Sequence, residues 1–174
     1  MPADLSDGQL ERYSRQILLP QIDLTGQARL LDAHVVIVGV GGLGSPAAIY
    51  LACSGIGKLT LCDADRVEPN NLHRQIAHQT DDIGRPKTAS ARQHLLALNP
   101  DIDIDTVNDN VNDDNVATLI QHADCVIDAS DNFATRYIIN RACYNAGKPL
   151  VSGSAIRMQG QVAIFNATSS SPCY

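Results

Sequence analysis

Apolar and polar positions along this chain fall into blocks whose period switches between that of a strand and that of a helix. His34-Val-Val-Ile-Val is an apolar, β-branched run. It leads into Gly39-x-Gly41-x-x-Gly44, a helical pattern, and a second apolar run from Leu59 that ends in Asp63 and Asp65. This is the order strand, glycine-rich turn, helix, strand. Glycines there let backbone approach a phosphate closely, and a helix beginning near Gly42 points free N–H groups at the anion. A tight turn without a ligand is the plainer alternative, but placement between a buried strand and a helix favours a nucleotide.

The remaining blocks extend the alternation. Ser6-x-x-Gln9 is a capping signal, followed by Leu10, Tyr13 and Ile17 at helical spacing. Pro20 ends that helix, and a further helical turn at Gln27 to Leu31 completes a helical arm over about 5–32. A polar connection from Asp65 to Gln75 follows the second strand. Pro86-Lys87 then opens a helix to Leu98, with Ala91, Leu95 and Leu98 as its apolar face. Ile102, Ile104 and Val107 predict a third strand whose spacing slips after Ile104. Asp113 to His122 predicts a helix, and Cys125 to Asp128 a short buried strand. Ala134 to Ala146 predicts a helix stopped by Gly147, then strands at Leu150–Ala155 and Gln161–Phe165 with Arg157 in the turn between them. The expected fold is α/β: a Rossmann-like, doubly wound, mostly parallel sheet with helices on both faces and an antiparallel edge.

Composition narrows the class. The 174 residues suit one domain, and 44% hydrophobic with 18% charged residues describes an ordinary globule rather than a disordered chain. A net charge of −6 speaks against nucleic acid as partner. The sequence contains no apolar stretch of membrane-spanning length and no secretion signal, so a cytoplasmic location is expected. Cys53, Cys62, Cys125, Cys143 and Cys173 form no C-x-x-C pair; the first four sit in apolar patterns and are expected in the core as reduced thiols. His34, His94 and His122 have no partner at metal spacing, and His73 and His78 read as polar surface residues.

The candidate chemistry gathers at strand ends. Asp63 and Asp65, Asn71 and Arg74, Lys87, and Asp131 with Asn132 all fall at one edge of the expected sheet. Each has a bland reading: turn residue, surface charge, or, for Asp131-Asn132, a cap of the next helix. As a set they suit a triphosphate, with a carboxylate for ribose hydroxyls, cations for phosphates and a carboxylate for Mg²⁺. An NAD site would not need Arg74, Lys87 or Asp131, because a pyrophosphate bridge is satisfied by the glycine turn. Arg12 and Arg15, judged by spacing alone, belong to a solvated face.

Several ordered motifs carry a resemblance over essentially the whole chain. They are Arg12-Tyr-Ser-Arg15-Gln-Ile-Leu, Gly39-Val-Gly-Gly-Leu-Gly44, Asp63-Ala-Asp65, Asn71-Leu-His-Arg74-Gln75, Arg85-Pro-Lys87, Asp128-Ala-Ser-Asp131-Asn132 and Gly153-Ser-Ala-Ile-Arg157-Met-Gln-Gly160-Gln161. Together they resemble the MoeB/ThiF/HesA family, the bacterial relatives of ubiquitin-activating enzymes. The resemblance implies an adenylyltransferase that uses ATP and Mg²⁺ to adenylate the C-terminal glycine of a ubiquitin-like sulfur carrier protein. Ile156 to Gln161 looks closer to the molybdopterin branch than to the thiamine branch.

The resemblance also implies roles residue by residue. Gly39, Gly41, Gly42 and Gly44 form the phosphate turn, and Asp63 binds the ribose. Asn70, Asn71, Leu72, His73, Arg74 and Lys87 form the phosphate-side segment. Asp131 binds Mg²⁺ with Asn132 beside it. Arg15, Arg74, Lys87 and Asp131 are the implied catalytic set, Arg15 being inserted from the other subunit of a homodimer. Cys173 matches the first cysteine of a structural zinc site whose remaining ligands are not in this sequence, so the expectation is residues 1–174 as a single adenylation domain, without the C-terminal part of the family domain and without tightly held zinc. Rival readings are the same reaction on the thiamine carrier, a non-catalytic nucleotide-binding module, and an NAD-dependent oxidoreductase.

Overall fold

The computed structural model describes residues 5–166. The chain opens with three short helices, α1 (Asp7–Arg12), α2 (Ser14–Ile17) and α3 (Asp23–Asp32). The Ser6 hydroxyl accepts from the Gln9 N–H, and the Gln9 side chain accepts from Ser6 N–H, as the capping signal predicts. Tyr13 alone of the expected apolar stripe is fully buried; Leu10 is exposed. The Tyr13 hydroxyl accepts from Asn99 Nδ2 at 2.9 Å, which seats the arm on the domain.

The alternation then runs β1 (His34–Val38), α4 (Gly44–Ser54), β2 (Lys58–Cys62), α5 (Lys87–Leu98), β3 (Asp103–Val107), α6 (Val116–Ile120), β4 (Cys125–Asp128), α7 (Phe133–Ala146), β5 (Leu150–Ile156) and β6 (Gln159–Phe165). Six strands form one sheet in the order β3-β2-β1-β4-β5-β6. The first five are parallel, and β6 returns antiparallel on β5 with Ile156 opposite Gln159. The turn residue Arg157 has φ 56, a left-handed conformation.

Burial on both faces explains the runs of β-branched residues. Val35 and Ile37 of β1 pack with Leu59, Leu61, Ala48, Ala91 and Leu95 on the face covered by α4 and α5. Val36 and Val38 point the other way, into a core with Val126, Ile120, Ile139 and Cys143 from β4, α6 and α7. Such a central strand is apolar at every position because helices cover both sides. Each aliphatic side chain fully buried there contributes about 1.5–3 kcal/mol. The slip in β3 has the same origin: Ile102 and Ile104 join the first core, whereas Val107 packs on the second.

Three expectations are corrected. Cys53 is exposed, because α4 is apolar around most of its circumference and its composition does not mark the outward face. Leu98 is also exposed; it ends α5 beyond the core, where the Arg12 guanidinium donates to its carbonyl at 3.1 Å. The sixth helix is shorter than Asp113 to His122, because the Asn112 side chain accepts from the N–H groups of Asp114 and Asn115 and holds the segment before Val116 in a turn.

Candidate functional site

From β1 the sheet grows to β2 and β3 on one side and to β4 on the other, and open α/β sheets form their crevice outside the strand ends at such a point. Here the crevice is a cleft of about 700 Å³, bounded by the ends of β1, β2 and β4. Gly39 and Gly44 shape its floor. Gly39 has φ 90, and a Cβ there would stand 2.7 Å from the Ala129 carbonyl oxygen. A Cβ on Gly44 would overlap the Gly39 carbonyl. These two glycines are required by packing. Gly41 and Gly42 are different: both line the cleft, and the space above them is open except for the Gln75 and Arg74 side chains. Arg74 Nη1 lies 3.3 Å from where a Cβ on Gly42 would stand, so a cation hangs over the turn. No side chain caps the start of α4; within its first turn Ser45 N–H donates to the Gly41 carbonyl, Pro46 has no N–H and Ala47 N–H donates to the Leu43 carbonyl.

Asp63 ties the turn to the end of β2. Its Oδ2 accepts from Val40 N–H at 2.7 Å and its Oδ1 from Asp65 N–H at 2.8 Å. Lys87 reaches the same corner by a backbone device. Val67 N–H donates to the Arg85 carbonyl, Gly84 N–H to the Val67 carbonyl and Lys87 N–H to the Asp65 carbonyl, folding the loop back so that α5 starts beside β2. Lys87 is buried and its Nζ meets Asp65 Oδ2 at 2.8 Å.

The other wall comes from the end of β4. Buried Asp128 accepts from Ser130 N–H, Ser130 Oγ and Ser152 Oγ, fixing the chain just before Asp131. Asn132 caps α7 by accepting from Thr135 N–H at 2.9 Å. That is the cap reading of the sequence, and Asn132 lines the cleft as well. Asp131 lines the cleft and is exposed.

Of the residues singled out by sequence, Gly39, Gly41, Gly42, Asp63, Asn71, Arg74, Lys87, Asp131 and Asn132 all line this cleft. Gly44 lies buried at the start of α4, and Asn70, Leu72 and His73, expected in the phosphate-side segment, do not line the cleft; Asn70 Oδ1 accepts from the Asn71 side chain instead. Arg15 is exposed on α2 and does not line the cleft of its own chain. Cys173 lies outside the described residues. Among the described residues, no cluster of three or more His, Cys, Asp or Glu side chains is arranged to hold a metal, and no helix is long and apolar enough to cross a membrane.

Sequence reading missed two cleft residues and misplaced a histidine. Gln75 is 2% exposed, and its Oε1 has no hydrogen-bond partner. An orphaned polar atom in a cleft wall is a group waiting for a ligand or water. Arg136 is buried and donates to the carbonyls of Ser130 and Gly153, lashing the Asp131 loop to β5. Its signal was a charge on the same face of α7 as Ile139 and Cys143. His78 is buried rather than on the surface, because the loop folds over it: Nδ1 lies 2.9 Å from Ser90 Oγ and Nε2 lies 3.3 Å from the Val40 carbonyl. Burial pushes its imidazole below the usual range, and nearby Lys87 adds to this against the opposing pull of the Val40 carbonyl.

The model of the ThiF family matches residues 13–174. The chain belongs to the ThiF family. This ThiF-family chain is 48% identical over 172 residues to the molybdopterin-synthase adenylyltransferase of Escherichia coli, covering 99% of this chain and 69% of that protein. It is 45% identical over 170 residues to the adenylyltransferase and sulfurtransferase MOCS3 of Culex quinquefasciatus, covering 98% of this chain and 39% of that protein. The chain thus spans well under half the length of that relative. Among solved structures, E. coli MccB with ATP superposes with a TM-score of 0.83 at 31% identity, covering 94% of this chain and 51% of the other.

Proposed function

We propose that this chain binds ATP with Mg²⁺ and adenylates the C-terminal glycine of a ubiquitin-like sulfur carrier protein of molybdopterin synthesis. The observation that carries the reading is the convergence of Arg74, Lys87 and Asp131 on an open glycine turn. The names of the relatives, molybdopterin-synthase adenylyltransferase among them, support it, as does the structural likeness to MccB with ATP.

The carrier's carboxylate attacks the α-phosphorus, an O–P bond forms, and pyrophosphate leaves with the electron pair of the broken P–O bond. An anion approaching an anion is repelled, so fixed cations must offset the charge that builds on the phosphates. Arg74 over Gly42 and Lys87 at the floor supply it; an arginine in such a role can be worth about a thousandfold or more in rate. The Gly41-Gly42 backbone ahead of α4 cradles the phosphates, and Asp63 orients the ribose side. Asp131 fits Mg²⁺, which takes one or two protein carboxylates plus phosphate oxygens, and the bound ion would neutralise the phosphates during attack. Arg136 holds the loop that carries Asp131. Arg15 acts from the partner of a homodimer on the phosphates of the facing cleft, and the reaction takes place in the cytoplasm.

The test is ATP–pyrophosphate exchange with the molybdopterin and thiamine carriers supplied separately. Exchange that depends on the molybdopterin carrier and is lost in Asp131→Ala and Arg15→Ala supports the reading. Preference for the thiamine carrier changes the substrate, and exchange unaffected by both substitutions removes the site assignment.

A further inference from the structure

His78 lies outside the set of groups that face phosphate, yet it is buried between the two elements that present them. Its ring spans from the Val40 carbonyl in the glycine turn to Ser90 Oγ on α5, one turn after Lys87. Resting on the nucleotide-site reading above, we propose that His78 is a positioning residue: as its Nε2–H tautomer it donates to the Val40 carbonyl and holds the glycine turn in register with α5.

The tautomer follows from the partners. A carbonyl only accepts, so the nitrogen facing Val40 must carry the hydrogen; in a neutral ring Nδ1 is then bare and accepts from the Ser90 hydroxyl. The second lone pair of the Val40 carbonyl takes the Ser45 hydroxyl at 3.0 Å, and Val40 N–H is taken by Asp63 at 2.7 Å. The peptide groups on both sides of Val40 are therefore pinned from α4, from the end of β2 and, through His78, from α5. Without His78, the fixed bonds of the turn reach α4 and β2 only, and the offset between Gly41-Gly42 and Lys87 loses its spacer. Phosphates bridging the turn and Lys87 read that offset directly.

The groups facing the imidazole are Val40 from the turn, Ser90 and Lys87 from α5, Asp82 from the preceding turn and Asp63 from the end of β2. Burial and Lys87 keep the ring neutral, which the tautomer assignment requires. Asp82 is the rival acceptor for the Ser90 hydroxyl hydrogen, which the proposed tautomer directs to Nδ1.

Substitution by amides separates the two ring nitrogens. Glutamine at this position carries an amide N–H to the place of Nε2, whereas asparagine stops at the place of Nδ1. Nitrogen-15 spectra of the wild-type imidazole should show the Nε2–H tautomer. His78→Asn should weaken ATP binding by about tenfold and shift the Gly41 and Gly42 amide resonances, while His78→Gln stays within about threefold with those resonances in place. An Nδ1–H tautomer, or a folded His78→Asn protein with wild-type affinity and unshifted glycine amides, overturns the proposal. Should the asparagine variant fail to fold, the wild-type tautomer still decides. Should wild-type protein bind no ATP, the nucleotide reading fails by itself, and the glycine amide shifts judge the positioning role alone.

Discussion

Lys87 Nζ stands 2.8 Å from Asp65 Oδ2, pairing an ammonium that is 7% exposed with a carboxylate that is 71% exposed. The asymmetry matters. Asp65 remains solvated and can turn away at little cost, whereas Lys87 is fixed at the floor of the cleft by α5. On the proposed function, the pair holds the lysine until a phosphate displaces the carboxylate. A pair so open on one side contributes about 0–1 kcal/mol to stability. Asp65→Asn should accordingly leave the melting temperature nearly unchanged and ATP affinity within a few-fold. Lys87→Met should weaken ATP binding by at least about tenfold, the loss of a charge-assisted contact. Titration calorimetry on the two variants checks both halves.

The four glycines of the turn divide into two kinds, and alanine scanning should resolve them. Gly39→Ala and Gly44→Ala drive a methyl group into backbone, at the Ala129 carbonyl and the Gly39 carbonyl respectively, and should destabilise by about 2 kcal/mol or more. Gly41→Ala meets only the Gln75 side chain at 3.7 Å and should fold normally. On the proposed function its methyl group occupies space that phosphate needs, so nucleotide affinity should fall while the denaturation midpoint stays. Chemical denaturation set against ATP titration for each variant separates these outcomes.

That division was only half legible in the sequence. Spacing placed the glycines between a strand and a helix, and the structure bears this out; which of them serve packing depends on the Ala129 carbonyl just past the end of β4 for Gly39, and on the Gly39 carbonyl for Gly44. The strand ends were legible because mostly apolar runs give way to aspartate at Asp63, just past β2, and at Asp128, the last residue of β4. Cys53 and His78 were not. An apolar helix such as α4 hides which side faces water, and a polar loop that doubles back over its own histidine has no periodicity to show it. Gln75 and Arg136 lay in plain view beside Arg74 and Asn132, but their value comes from burial, which the local pattern does not encode.

His78 makes stability depend on pH. Its folded-state value lies below the ordinary 6.5, so the unfolded chain binds the proton more readily. Its contribution is fully present above 6.5 and is lost as pH falls through the lower folded value. Asp82 behaves likewise in a more acidic range. Burial alone would raise its carboxyl, but the Gln79 N–H, the Ser90 hydroxyl and Arg85 overcome this and hold it below 3.8, so its contribution is lost only under stronger acid. Unfolding of wild type and His78→Gln between about pH 5 and 8 should show a decline on acidification that the glutamine variant lacks.

The cysteines should differ sharply in reactivity. Burial pushes the Cys62 and Cys143 thiols up to about 12, leaving almost no thiolate near neutrality, whereas Cys53 is exposed. Alkylation of native protein at about pH 8, followed by peptide mass spectrometry, should modify Cys53 and spare Cys62 and Cys143. Rapid labelling of either buried thiol would mean that the β2 end or the α7 face opens on that timescale.

On the proposed function, groups arriving at the later strand ends turn a dinucleotide-like turn into an ATP site. Equilibrium titration of the wild-type chain with ATP in the presence of Mg²⁺, run beside NAD under the same conditions, tests it most directly. The expected result is saturable ATP binding that is weakened by Arg74→Ala and Lys87→Met, with no measurable affinity for NAD. Binding of NAD with none of ATP would contradict it.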